Sequence, residues 1–148
     1  MRRRDEVRFF TVEEANRALP LVKRIMADIV EENNRLQELL PRLKEARLRA
    51  RRYGPDETLE QLRKDVAGIS SRLECYLREL AQVGCVFKGP QGLVDFYALR
   101  DGRPVFLCWR YGEEGIRYWH ELESGFAGRR TLESDSLAAS STVGDAEG

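Results

Sequence analysis

The 148-residue sequence predicts an α+β domain, in which a long antiparallel helical hairpin, similar to a coiled coil, precedes a small antiparallel β-meander of three or four strands. Two long stretches carry apolar residues at steps of three and four, which is the spacing of one helix face. After Gly84 the pattern changes to short alternating runs separated by glycines. We predict one domain over residues 1–132, with its helical part at 8–84 and its β part at 85–132.

The first helix is predicted to begin at Thr11, because Glu14 lies three residues later and completes a capping box. Pro20 is expected either to end a short first helix or to open the next one. The apolar seam that follows alternates steps of four and three, with one polar member, Asn33, that would either set the register or mark a place where the helix meets another element. Its members are Val22, Met26, Ile29, Asn33, Leu36, Leu40 and Leu43. Pro41 lies inside this seam, so we expect a kink or a break there.

The second helix is predicted over about 57–83, between a turn at 53–56 and a C-cap at Gly84. Its seam is regular throughout and consists of Leu59, Leu62, Val66, Ile69, Leu73, Tyr76, Leu80 and Val83. Two such seams joined by a short turn bury each other as an antiparallel pair. We also predict a homodimer formed partly by helix pairing. The apolar residues that suggest it are Leu19, Leu21, Ile25, Leu39 and Leu77.

Strands are predicted at 85–88, 93–99 and 104–110, and residues 116–121 are expected to form a fourth strand or, alternatively, a helical turn. Asp101-Gly102 is a two-residue hairpin turn, and it sets the register of the second strand on the third. This register puts three apolar pairs on the face toward the helices: Ala98 with Val105, Phe96 with Leu107, and Val94 with Trp109. On the opposite face it pairs Asp95 with Cys108.

That opposite face suggests a metal site. If the loop at 111–115 has five residues, the single histidine, His120, joins Asp95 and Cys108 on one face of the sheet. With Glu113 these side chains supply the mixed nitrogen, sulfur and oxygen ligands that zinc or a similar divalent ion accepts. Three protein ligands would leave one coordination position open, as in catalytic zinc sites.

Two other interpretations of the same segment stay open. In the first, arginines bind a carboxylate or phosphate in a pocket walled by tryptophans. The residues of this pocket would be Arg110, Arg117, Arg129, Trp109 and Trp119. In the second, the aromatics and Cys108 build a second small core, His120 is a structural histidine, and the face is covered by the carboxy-terminal loop or another subunit.

The distribution of charge suggests one further site. The whole chain has 25 basic and 25 acidic residues, which gives no general reason to bind nucleic acid. Residues 42–52, however, hold six basic residues and one acidic residue, just before the predicted turn. The hairpin tip could therefore contact RNA phosphates through Arg47, Arg49, Arg51 and Arg52. The alternative is a solvated helix end, where cations are stabilising.

Composition also bears on the compartment. No apolar run approaches the roughly 18 residues that a membrane span requires, so we expect neither membrane insertion nor secretion. The three cysteines form no C-x-x-C motif and are expected to be reduced thiols in the cytoplasm. Residues 133–148 have four acidic and no basic residues, and are predicted to be a disordered acidic tail.

Several motifs carry a resemblance to a known family. They are TVEEAN at 11–16, GLVDF at 92–96, LCWR at 107–110 with GE at 112–113, and YWHE at 118–121 with GFAGR at 125–129. In this order they resemble a family of small bacterial proteins, domain-of-unknown-function family 2203, over residues 8–132. The resemblance implies a bacterial cytoplasmic protein and transfers no activity.

The sequence is compatible with three classes of function. The leading one is a non-enzymatic binding or assembly module that acts on a protein partner through the hairpin and the exposed sheet face. The alternatives are a metal-dependent enzyme or metal-binding protein, and an RNA- or ribosome-associated protein. Whether the chain is an enzyme is left open.

Overall fold

A computed structural model describes residues 7–132, so the tail predicted at 133–148 lies outside the described residues. Two helices come first, α1 at Val12–Tyr53 and α2 at Glu57–Val83. They are followed by β1 Val86–Gly89, β2 Leu93–Arg100, β3 Arg103–Arg110, β4 Tyr118–Glu121, a 3₁₀ turn Phe126–Gly128 and β5 Arg130–Thr131. The strands form one antiparallel sheet in the order β1-β2-β3-β4-β5. The predicted class, a helical hairpin with an antiparallel meander, is confirmed.

The start of α1 and the end of α2 lie at the capping residues that the sequence predicts. The Thr11 hydroxyl accepts the N–H of Glu14, and the Glu14 carboxylate accepts the N–H of Thr11, both at 3.0 Å. Gly84 ends α2 in the left-handed conformation, with φ of 104°. Within residues 7–132, no helix is both long enough and apolar enough to cross a membrane.

The expected helix boundary at Pro20 and the expected break at Pro41 are wrong, since α1 continues through both prolines. A proline inside a helix removes one N–H donor and crowds the preceding turn. In α1 this cost is offset because the helix packs along its length on α2 and, in its first half, also on the sheet.

The apolar seam of α1 differs from the predicted one in its second half. Leu40 is exposed, and Leu39 packs against the neighbouring helix in its place. The buried polar residue is Glu32 rather than Asn33. The seam shifts because α1 contacts both α2 and the sheet up to about Val30, and α2 alone beyond it. In α2, Ile69 is fully buried as predicted.

Two separate apolar cores are present among residues 7–132. The larger one joins the first half of α1 and the end of α2 to the sheet, and the smaller one lies between the distal parts of the two helices. Leu19 and Ile25, which the homodimer prediction places on an outer surface, belong to the larger core. The homodimer stays a prediction, and of the residues that suggested it only Leu21 remains exposed.

The predicted strand register is confirmed from Leu93 to Arg110, with Asp95 opposite Cys108. Asp101 and Gly102 have the positive φ angles, 54° and 77°, that this type of hairpin turn requires. His120 lies opposite Phe106, although β4 begins two residues later than predicted. The strand β5 is not among the predicted strands, because its two residues are too few to show an alternating pattern.

Candidate metal centre

Three potential metal ligands lie together on the sheet face that points away from the helices. Asp95, Cys108 and His120 come from the adjacent strands β2, β3 and β4, and their side chains project from the same face because of the observed register. Each residue is 3% exposed or less. Each residue offers one ligand atom: Asp95 a carboxylate oxygen, Cys108 its sulfur and His120 a ring nitrogen. These three atoms lie within 4.8 Å of one another.

Both ring nitrogens of His120 have partners. Nδ1 lies 2.7 Å from the carbonyl oxygen of Glu121, and Nε2 lies 3.1 Å from Oδ2 of Asp95. A carbonyl oxygen only accepts, so Nδ1 carries a proton and donates it. If the ring is neutral, Nε2 presents its lone pair to a carboxylate, which is itself an acceptor when ionised. The two groups then need a cation between them, and this can be a proton or a metal ion.

The low exposure of the cluster shifts two of its pKa values. Burial raises the pKa of Asp95, an effect that the nearby His120 and Lys88 oppose. Burial, and secondly the charge of Asp95, raise the pKa of the Cys108 thiol to about 12. The thiol is therefore protonated near neutral pH and hydrogen-bonds to Asp95. A thiol in this state is a poor nucleophile, but a metal ion can displace its proton.

Arg129 covers the sulfur side of the cluster. Its Nη1 donates to the sulfur of Cys108 at 3.9 Å and to a carboxylate oxygen of Glu113 at 3.2 Å. The predicted fourth ligand, Glu113, is thus the partner of Arg129 and lies outside the cluster. The tight turn after β3 explains its position, because the Glu113 carboxylate also accepts the backbone N–H of Arg110 at the strand end.

Lys88, which belongs to none of the predicted sites, borders the cluster on the carboxylate side. Its Nζ lies 3.9 Å from Oδ2 of Asp95 and 4.6 Å from the centre of the Phe106 ring, and its side chain is 39% exposed. Alternation along β1 was the available signal. Since Phe87 pairs with Val94 on the helix-facing side, Lys88 had to lie on the face of Asp95.

The five residues of the predicted anion pocket do not come together. Trp109 and Trp119 are buried in the helix-facing core, on the other side of the sheet from the cluster. Arg110 and Arg117 are exposed, and only Arg129 reaches the cluster. The structure thus does not bring these residues into one pocket, because strand alternation places both tryptophans on the opposite side of the sheet from Arg129.

The arginines at the hairpin tip are exposed, as a nucleic-acid contact would require. Two of them have neighbours on α1, since Arg49 pairs with Glu45 at 3.8 Å and Arg52 lies over the Tyr53 ring at 5.6 Å. The acidic residue Asp56 follows in the turn and caps α2. The positive charge of the tip is therefore partly offset, and RNA binding stays a prediction.

The family model of the uncharacterized conserved proteins called domain of unknown function 2203 matches residues 8–132. The chain belongs to this family. The matched range contains the hairpin, the sheet and the cluster, and it confirms the resemblance drawn from the sequence motifs. No curated protein and no solved structure is similar enough to the chain to match it.

Proposed function

We propose that this family member is a non-enzymatic binding protein that holds one divalent transition-metal ion, zinc or a similar borderline ion. Asp95, Cys108 and His120 would be its ligands. The observation that supports the proposal is the convergence of oxygen, sulfur and nitrogen atoms within 4.8 Å. Zinc bonds to such atoms are about 2.0–2.3 Å long, so the ligand atoms of a tetrahedral ion lie roughly 3.5 Å apart. Closing the cluster around an ion takes shifts of about 1 Å.

The surroundings of His120 support the same proposal. A metal-bound histidine usually donates its other ring N–H to a backbone carbonyl or a carboxylate, which orients the ring toward the metal. Here the Glu121 carbonyl accepts from Nδ1 at 2.7 Å, and Nε2 is directed at the cluster. The ring is therefore oriented for metal binding before an ion arrives.

The burial of the cluster favours a structural or storage site over a catalytic one. All three ligands are buried, whereas catalytic zinc keeps a position open to water and substrate. The second oxygen of Asp95 or one trapped water would complete the coordination. The competing interpretation is a metal-free cluster held by a shared proton, as in a second small core.

Metal titration separates these two interpretations. We expect purified wild-type protein, stripped of metal with a chelator, to bind one Zn²⁺ per chain. Cys108→Ala should weaken binding by more than about 100-fold, since even second-shell losses cost 10–100-fold. Cys75→Ala is the matched control, because Cys75 is an exposed free thiol on α2, and it should bind as wild type does. A wild-type protein that takes up no ion at micromolar Zn²⁺ would overturn the proposal, as would a Cys108→Ala variant with unchanged affinity.

We further propose that the protein works in a reducing compartment such as the cytoplasm. Its three cysteines are all free, and Cys108 ligates a metal only while its sulfur is unoxidised. Titration of freshly purified, denatured protein with a thiol reagent should count three thiols per chain. Fewer than three would contradict this proposal without bearing on the metal ligands.

A further inference from the structure

We infer that Arg129 is a positioning residue of the metal site, which donates a hydrogen bond to the metal-bound sulfur of Cys108 and so controls how tightly the ion is held. This inference rests on the proposed metal binding. It starts from the 3.9 Å contact between Nη1 of Arg129 and the sulfur of Cys108. Donors to a metal ligand orient that ligand and tune its bond to the metal.

Arg129 is held in this place from several directions. Its guanidinium forms a two-point ion pair with Glu113. It also lies over the rings of Tyr118, at 3.8 Å, and Phe126, at 4.2 Å. The side chain is only 16% exposed. Stacking on aromatic rings and two-point carboxylate pairing both depend on the planar guanidinium, so lysine cannot reproduce these contacts together.

The two charged partners come from different loops that meet over the sheet. Glu113 lies in the turn after β3, and Arg129 follows the 3₁₀ turn that precedes β5. Their pairing therefore joins two connecting segments across the face that carries Cys108. An arginine that is simply solvated on the surface is not held by contacts of this kind. The arrangement leaves Nη1 of Arg129 donating to the sulfur as well as to Glu113, and sulfur is the softest and most polarisable ligand of the three.

Lys88 provides an internal comparison. It contacts the cluster at a similar distance, 3.9 Å from Oδ2 of Asp95, but its side chain is 39% exposed. A flexible, solvated ammonium group orients its partner weakly. We therefore expect Lys88→Met to change metal affinity much less than Arg129→Met does.

The test compares metal affinity and a spectroscopic signature across a set of variants. Zn²⁺ affinity is measured by competition with a chromophoric chelator, and Co²⁺ is used to record the thiolate-to-metal charge-transfer band. Arg129→Met should lower Zn²⁺ affinity by about 10–100-fold and shift the Co²⁺ band, because the sulfur loses its hydrogen bond. Arg129→Lys should shift the band in the same direction, and Glu113→Gln should cause a smaller loss. Arg117→Met, a change at an exposed arginine, should match wild type.

The outcomes separate the two proposals. If the wild-type protein binds neither ion, the metal site and the role of Arg129 are both overturned. If the wild-type protein binds and Arg129→Met keeps its affinity, or loses affinity with an unshifted Co²⁺ band, only the role of Arg129 is overturned. Thermal unfolding of the metal-free variants checks that each one folds. Should Arg129→Met fail to fold, Arg129→Lys and Glu113→Gln are judged by the same criteria.

Discussion

On the sheet face that packs against the helices, Val94 and Phe96 are fully buried among apolar neighbours, whereas on the other face Asp95 and Cys108 are just as inaccessible but contact charged and polar groups. These residues alternate along the same strands. The helix-facing side is covered by two regular helices, and the other side by Arg129, Lys88 and the segments around them. Equal burial thus comes from apolar packing on one face and from charged and polar contacts on the other, and only the covering groups differ.

The largest effect that distinguishes the two faces is expected from Phe96→Ala. Phe96 is fully buried and stacks edge-on against Phe10, so its truncation leaves a cavity in the larger core. We expect a loss of about 3–5 kcal/mol in the free energy of unfolding, measured by urea denaturation. Leu99→Ala, on the same strand but exposed, is the control and should cost little. A loss below about 1 kcal/mol for Phe96→Ala would show that this face is not the packed one.

Zinc should stabilise the protein through one face only. At a free concentration of 100 times the dissociation constant, we expect Zn²⁺ to raise the free energy of unfolding of the wild-type protein by about 2.7 kcal/mol. Cys108→Ala should lose this gain. Cys85→Ala should keep it, although burial raises the pKa of both thiols to about 12, because Cys85 lies in the larger core. An equal effect of Zn²⁺ on the free energy of unfolding of the two alanine variants would contradict the assignment of zinc binding to one face.

Asp95→Asn tests whether the cluster is stabilising without metal. The change removes a carboxylate that His120 and Cys108 both contact, and leaves a buried site with imperfectly matched polar groups. In metal-free protein we expect a loss of about 1–3 kcal/mol by urea denaturation. Asp101→Asn, in the exposed hairpin turn, should be close to neutral, since asparagine tolerates the positive φ of 54° there. A metal-free Asp95→Asn variant that is more stable than wild type would mean that the cluster is costly until a metal binds.

The smallest effect is expected from a substitution of Glu32, the second buried carboxylate. Unlike Asp95, Glu32 is paired with the guanidinium of an arginine. Arg72 donates to its two oxygens at 2.6 and 3.1 Å and holds the pKa of Glu32 below its usual 4.5. A lowered pKa in the folded state means that the ion pair stabilises the fold above pH 4.5 and that this contribution is lost as the pH falls through the lowered value.

Glu32→Gln should therefore cost roughly 1 kcal/mol at pH 7, because Arg72 is partly exposed. The difference from wild type should shrink toward zero at acidic pH. Thermal unfolding at several pH values measures it, with Glu31→Gln, an exposed neighbour, as the control. A difference that stays constant between pH 7 and about pH 2 would show that the pair contributes no pH-dependent stability.

The features that could be predicted from the sequence depend on near neighbours along the chain. The capping box at Thr11 spans three residues, and the Asp101-Gly102 turn sets the register of the strands that it directly joins. Because side chains alternate strictly along a strand, that register alone places Asp95 opposite Cys108. The register of His120 was predicted only on the condition of a five-residue loop at 111–115, and the observed pairing of His120 with Phe106 is the one that this condition gives.

The features that the sequence did not predict depend on distant partners. The seam of α1 shifts at Glu32, and Leu39 replaces Leu40, because the sheet covers only the first part of the helix. Both prolines stay inside α1 because tertiary packing along the helix offsets their local cost. Apolar spacing alone does not reveal which neighbour lies beside each turn of a helix.

By itself, then, the sequence determined the order and type of the main elements, the two faces of the central hairpin and the three strands that carry Asp95, Cys108 and His120. Only the tertiary structure decided which charged residues surround that cluster, pairing Glu113 with Arg129 instead of adding it to the ligands. The physical reason is periodicity. Helices and strands repeat, so their faces can be read from spacing, whereas the loops that bring Arg129 to a sulfur 21 residues away follow no repeat.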